Sequence, residues 1–372
     1  MKVLLLSNTA GQGHRSTATA LMDMFASMGA ECRVLDSYAY ISPVLYQTLS
    51  RGYLLATSVT PTAYGRFYRL AERREQNDSK HSVVNVANSI MAIKLKKYFE
   101  REFDPDVIIC THVFSAQIIN AMKADGQTDA VAIGIVTDYT IHPFWQDVTH
   151  IDYIVTASDL LTYQAVKRGI RRSRILPLGI PVSAKFSRRI PRDEARRRLS
   201  IDPELFTILL MSGSMGYGNF YKVLQKTDQL ERDFQVLAVC GHNAHAKRKI
   251  DCLQLKRKIY SYGFVDNVDM MMDAADCIVT KPGGLTSSEA LAKDLPLLMI
   301  NPIPGQEDRN VEFMLNNGLA MNVTDTFPLD EALYQLFLYP EKLANMVRNI
   351  HLVSKPHATR DLCKFVMGLG EK

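Results

Sequence analysis

The feature that most constrains this chain is a series of short, largely apolar strand-like runs, repeated in both halves. In the first half they are Lys2–Ser7, Glu31–Leu35, Asp106–Cys110, Ala130–Val136 and Tyr153–Thr156. In the second half they are Phe206–Met211, Phe234–Cys240, Tyr260–Gly263, Cys277–Thr280 and Pro296–Met299. Helical stretches such as Ser16–Met28 and Val83–Phe99 lie between them. A strand with one wet face alternates apolar and polar residues. These runs are continuous in Val, Ile and Leu, so both faces are expected to be covered. Such strands belong to parallel sheets wrapped by helices. The expected fold is therefore α/β, with two Rossmann-like parallel-sheet domains facing across a cleft. Ligands of these sheets bind beyond the carboxyl ends of the strands, so the loops that follow strands are the places to search.

A length of 372 residues fits about two to three domains of roughly 150 residues each. The segment around Pro177–Pro203 is rich in proline and arginine and has no strong period, which marks a boundary. The domains are expected at 1–185 and 186–345, with 346–372 a helix packing back toward the first. No apolar run approaches the roughly 18–20 residues of a membrane span, and the first run is too short for a signal peptide. A cytoplasmic protein is expected. The six cysteines are scattered without a C-x-x-C pair, which reads as buried, reduced thiols. The net charge of +5 is unevenly placed, with 12 Lys/Arg against Asp193 and Glu194 between Val166 and Leu199. That stretch reads equally as a solvated linker and as an attraction to an anionic membrane or nucleic acid. The aromatic and basic segment Ser37–Arg74 suits a membrane interface or an ordinary domain-edge helix pair. No RNA-binding motif accompanies it.

Three loops of the second half suit a phosphorylated sugar. After Cys277–Thr280 comes Lys281-Pro282-Gly283-Gly284-Leu285-Thr286-Ser287-Ser288-Glu289. Two glycines allow close backbone approach, and a helix expected from about Thr286 would offer free N–H groups to a diphosphate. Glu289, one turn in, can accept from ribose hydroxyls. The same Thr286-x-x-Glu289 spacing is also a capping box, in which Glu289 only bonds the helix's own cap. A second loop, Ser212-Gly213-Ser214-Met215-Gly216, follows Phe206–Met211, and a third carries Gln306 and Glu307 after Ile300. The P-loop pattern is absent.

In the first half, Lys2–Ser7 leads into Gly11-Gln12-Gly13-His14. Ser16 stands where a dinucleotide fingerprint needs its third glycine, which argues against NAD. What remains is a glycine turn presenting His14 at a helix start. The run ending at Val136 leads into Thr137-Asp138-Tyr139-Thr140-Ile141-His142. An Asp there is a candidate acid or base, or simply a turn residue. His242-x-x-His245 lacks further ligands, so no metal site is expected.

Taken in order, these motifs resemble the monogalactosyldiacylglycerol synthase and processive diacylglycerol glucosyltransferase family of glycosyltransferase family 28. The resemblance rests on G-Q-G-H (11–14), V-T-D-Y with H-P-F-W (136–145), C-G-H-N (240–243), G-F-V-D-N-V (263–268), T-K-P-G-G-L-T-S-S-E-A (280–290) and P-G-Q-E-D-R-N (304–310). It implies the GT-B fold and inverting transfer of a hexose from a UDP-sugar to the 3-hydroxyl of 1,2-diacylglycerol. It also implies a peripheral place on the inner face of the cell membrane, with an anionic membrane surface as partner. No cofactor beyond the UDP-sugar substrate, and no nucleic acid, is implied. By the same resemblance Asp138 is the catalytic base and His14 its partner. Phe264 and Val265 lie by the uracil. Gly283, Gly284, Thr286 and Ser287 hold the diphosphate, Glu289 the ribose, and Gln306 and Glu307 the sugar. Gly13, Gly213, Ser214 and Lys281 complete the donor set. The loop at 212–218 is less glycine-rich than the family pattern. A polyprenyl-linked sugar as acceptor, and a non-enzymatic UDP-sugar sensor, are the alternatives.

Overall fold

A computed structural model describes residues 1–8, 12–41, 83–211, 213 and 220–370. Most of the 37–74 segment, and residues 212 and 214–219 including Ser214, lie outside these residues. The chain divides into two compact units. The first comprises Met1–Ala184, Ile303–Gln306 and His357–Lys372; the second comprises Lys185–Pro302 and Glu307–Pro356.

The first unit holds strands β1 (Lys2–Ser7), β2 (Glu31–Asp36), β3 (Val107–Cys110), β4 (Val131–Ile135), β5 (Tyr153–Val155) and β6 (Ile175–Leu176). Its main-run helices are α1 (Gln12–Ser27), α2 (Ser37–Ile41), α3 (Val83–Arg101), α4 (Val113–Ala124) and α5 (Thr162–Lys167). The second unit holds β7 (Phe206–Met211), β8 (Phe234–Val239), β9 (Lys258–Tyr262), β10 (Cys277–Thr280), β11 (Leu297–Met299) and β12 (Ala320–Asn322). Its helices are α6 (Arg192–Arg198), α7 (Phe220–Thr227), α8 (Ala244–Asp251), α9 (Val268–Ala274), α10 (Gly284–Ala292), α11 (Gln306–Asn316), α12 (Leu329–Leu338) and α13 (Pro340–Val353). A last helix, α14 (Ala358–Met367), returns to the first unit.

Each unit carries one six-stranded sheet, ordered β2-β1-β3-β4-β5-β6 and β12-β11-β10-β7-β8-β9. Every pairing is parallel. The continuous apolar runs explain this, since Val3–Leu6, Val107–Cys110 and Cys277–Val279 are almost wholly excluded from solvent. In the first core Val3, Leu5, Phe25, Val107 and Ile133 pack with Leu362, Cys363 and Val366 of α14. In the second, Ile208, Leu210, Val236, Val279 and Leu298 pack with Leu329, Leu333 and Leu336 of α12. Burying one such side chain contributes roughly 1.5–3 kcal/mol. The strand order reverses between β1 and β3 in one sheet and between β7 and β10 in the other. At such switch points neighbouring loops diverge and open a crevice.

Much of the basic stretch 166–199 is engaged by the second unit's own acids. Arg196 is buried and donates to Asp276 Oδ2 (2.7 Å) and to the carbonyls of Ala274 and Pro203, while Asp276 also accepts Thr207 N–H. Removing one partner of such a buried pair costs about 3–5 kcal/mol. Arg192 also pairs with Asp276, Arg189 with Asp294, Lys185 with Asp269 and Arg198 with Glu194. Five of the twelve cations are thus held in ion pairs. No helix among the described residues is long and apolar enough to cross a membrane.

Candidate active site

The start of α1 and the loops beyond β3 and β4 bring three histidines and an aspartate together in the first unit. His14 lies in the first turn of α1, and its Nδ1 is 2.7 Å from the carbonyl oxygen of Thr111, the residue after β3. A carbonyl only accepts, so Nδ1 carries the proton and the neutral ring keeps its lone pair on Nε2. Thr137 Oγ1 lies 3.4 Å from the same nitrogen. Burial lowers the His14 pKa, against the opposing pull of the Asp138 charge and the Thr111 carbonyl. Asp138 itself is half-buried, just beyond β4.

His112 was not singled out by the sequence, yet its ring meets that of His14 edge to face at 4.7 Å. Its Nδ1 accepts the Phe114 N–H at 3.2 Å and so caps α4. An acceptor nitrogen cannot also be protonated, and burial beside His14 and His142 holds the His112 pKa well below its ordinary value. His142 caps the next turn in the same way, accepting from Phe144 N–H. The segment 137–145 is braced twice more. Gln164 of α5 accepts the Ile141 N–H at 2.8 Å. Trp145, the only tryptophan, packs so closely on Gly134 of β4 that an added Cβ there would lie 2.5 Å from its ring.

In the second unit the loop after β10 forms the start of α10. The helix begins at Gly284, with Gly283 as an extended N-cap and no side-chain cap bond. This differs from the start expected near Thr286 and removes the capping box, because Thr286 is already inside the first turn. Its side chain is thus not at the cap position where a hydroxyl reaches back to free N–H groups. The first intrahelical bond runs from Ser287 N–H to the Gly283 carbonyl. The N–H groups of residues 284–286 therefore belong to the set a helix cannot satisfy by itself. A Cβ on Gly283 would meet nothing within 4 Å, so space is open beside it.

Around this helix start, the hydroxyls of Thr280 and Ser287 are fully buried with no hydrogen-bond partner among the described residues. Glu289 is partly buried, and its carboxyl is pushed up to about 8 by desolvation, with Lys185 pulling the other way. Lys185 donates to the Asp266 carbonyl and pairs with Asp269 Oδ1 at 3.5 Å. It therefore ties the 264–266 segment to the start of the unit, a link across 81 positions that no local pattern announces. Phe264 is exposed, and its ring stacks face to face on His242 at 4.6 Å with a 13° interplanar angle. Val265 follows it. His242, weighed above only as a metal ligand, thus supports an aromatic surface instead. Lys281 pairs with Glu307 at 3.4 Å, and buried Asn310 donates to the Pro282 carbonyl, fastening α11 to the loop. Gly213 takes a left-handed φ of 58° just after β7. Gly13 lies in the first turn of α1, and Gln306 opens α11.

Two family models match the chain in succession. Monogalactosyldiacylglycerol (MGDG) synthase matches residues 14–182, and the glycosyltransferase family 28 C-terminal domain matches residues 207–362. A processive diacylglycerol beta-glucosyltransferase from Bacillus pumilus is 25% identical over 369 residues, covering 98% of this chain and 94% of the relative. Among solved structures, MurG from Acinetobacter baumannii superposes with a TM-score of 0.63 at 14% identity, covering 99% of both chains. HepE from Anabaena, crystallised with UDP and glucose, gives 0.56 at 12% identity over 99% of this chain and all of that one. The two structural likenesses carry the fold, which is GT-B.

Proposed function

Because the chain belongs to the family of monogalactosyldiacylglycerol synthases and processive diacylglycerol glucosyltransferases, we propose that it moves a hexose from a UDP-sugar to the 3-hydroxyl of 1,2-diacylglycerol with inversion. The observation that carries this reading is the bare start of α10, with Gly283 at its cap and Glu289 one turn in. A helix start with free N–H groups beside a glycine suits a diphosphate, and a carboxylate just beyond it suits two vicinal ribose hydroxyls. The face of Phe264, backed by His242, suits the uracil edge or plane. Gln306 and Glu307 serve the sugar hydroxyls. Lys281, paired with Glu307 at rest, adds positive charge near the phosphates.

The chemistry is a single displacement. Asp138 takes the proton of the acceptor hydroxyl, and His14, held through Nδ1 by the Thr111 carbonyl, is its partner in the site. The oxygen bonds to the anomeric carbon as the bond from that carbon to the β-phosphate oxygen breaks. UDP leaves with the added negative charge, which the α10 N–H groups stabilise. The product is a glycosyl-diacylglycerol, made at a membrane surface by a protein that docks there peripherally. The named relative points to glucose as the first donor to try.

The direct test supplies purified protein with diacylglycerol in detergent and either UDP-glucose or UDP-galactose, followed by product analysis. Release of UDP with a β-linked glycosyl-diacylglycerol is expected from one of the two. If neither donor is consumed, the acceptor assignment is wrong.

A further inference from the structure

We infer that the outward face of α5 and the turn after it form the surface by which this protein seats on an anionic lipid bilayer, while the inward face of the same helix holds the catalytic loop. The inference rests on the proposed lipid acceptor and adds where the bilayer lies. Leu160, Tyr163 and Val166 are 53%, 75% and 41% exposed. Their spacing of three residues puts them on one face of the short helical stretch. Soluble surfaces carry single apolar residues freely, but three in register beside a basic cluster are an interaction signature.

The charge next to them is mostly positive, with Asp159 the one acid between 159 and 172. Lys167, Arg171 and Arg172 are exposed and Arg168 partly so. Among the described residues these four have no ion pair, whereas Lys185, Arg189, Arg192, Arg196 and Arg198 further along are paired with acids. Lys167 Nζ sits 5.6 Å over the Tyr163 ring, so the cation and the aromatic side chain share the same outward face. Lipid phosphates complement such cations, and a tyrosine ring favours the boundary between headgroups and acyl chains.

The opposite face points inward. Ala165 is fully buried, and Gln164 accepts the Ile141 N–H and approaches the Thr140 hydroxyl. Ile141 is three residues from Asp138. A bilayer contacted by Tyr163 and Val166 therefore lies one helix thickness from the loop that carries the proposed base. A diacylglycerol whose 3-hydroxyl sits at headgroup level then has a short rise to reach it.

The test uses the full chain and two variants. Leu160→Ser with Tyr163→Ser removes the apolar contacts. Lys167→Gln with Arg171→Gln and Arg172→Gln removes the charge. Each is sedimented with vesicles of phosphatidylcholine alone or mixed with phosphatidylglycerol. The charge variant is expected to lose on the order of a hundredfold in partition onto the anionic vesicles at low salt, and little on the neutral ones. The apolar variant is expected to lose on the order of tenfold on both. UDP affinity, and transfer to a short-chain diacylglycerol in detergent, should stay at wild-type values while transfer on vesicles falls. Unchanged vesicle partition in both variants would overturn the inference. So would loss of binding to a single-stranded RNA in the charge variant with vesicle binding intact. Absence of any sugar transfer by the wild type would instead sink the proposed reaction, and the sedimentation would still report on the surface.

Discussion

The two switch-point regions are built on opposite plans. Beyond β1, β3 and β4, side chains already satisfy one another. His14 is fixed by Thr111, His112 and His142 cap the turns they start, and Gln164 and Trp145 brace the segment around Asp138. Beyond β10 the polar groups are left waiting. The α10 start has no side-chain cap, two buried hydroxyls lack partners among the described residues, and Glu289 sits where its charge is disfavoured. The first plan suits a group that must present one atom in one orientation during a proton transfer. The second suits tight binding of a ligand that supplies the missing partners, since unmet polar groups are costly until they are filled.

The largest expected effect would break the first half of this contrast. Asp138→Asn keeps the shape of the loop and removes the proposed base, so turnover should fall by about 10²–10⁴-fold while UDP affinity is retained. A variant with near wild-type turnover would remove Asp138 from the chemistry, and the braced loop would then be only structural.

A second effect sharpens the other half. In the free protein Glu289 holds its proton up to about pH 8, and ribose hydroxyls donate to the ionised form. UDP affinity should therefore rise as pH climbs toward 8, by at most about tenfold per unit, and level off above. Glu289→Gln should flatten the profile in calorimetric titrations. Stability should respond with the opposite sign. The folded-state value lies above the ordinary 4.5, so the folded protein holds this proton more tightly than the unfolded chain. The favourable contribution is complete below about 4.5 and is lost as pH rises through about 8. Glu289→Gln should stabilise the protein by on the order of 1–2 kcal/mol at alkaline pH after allowance for solvent screening. A lower melting temperature for the variant at pH 9 would contradict the waiting-site description.

The smallest effect probes the bracing. Gly134→Ala forces the Trp145 ring from its seat and should cost about 1–3 kcal/mol. Trp145 is the only tryptophan, so its emission should shift red without ambiguity of source. Wild-type emission together with wild-type stability would show that the segment yields easily.

Most of the fold was legible because buried parallel strands leave unbroken apolar runs. The two strands that were not read, Ile175–Leu176 and Ala320–Asn322, are sheet-edge pieces of two and three residues, too short to leave such a run. The segments that carry Asp138, His14 and Gly283 were legible because each comes soon after a strand. The start of α10 was misplaced since a hydroxyl or carboxamide side chain is the usual sign of a cap, and here glycine caps. His112, Gln164, Lys185 and the stacking role of His242 were not readable. Each acts on a partner that only the fold brings near, as with the 97 positions between His14 and Thr111.

The return of α14 to the first unit has a consequence for how the chain is made. Leu362, Cys363 and Val366 complete the core around Val3, Leu5 and Phe25, and Thr359 donates to the Val182 carbonyl at 2.5 Å. Domains commonly fold in the order in which they leave the ribosome. Here the first sheet emerges with one apolar wall missing and must wait until the whole second sheet has been synthesised. The first unit's core is therefore complete only once the last helix of the chain is in place.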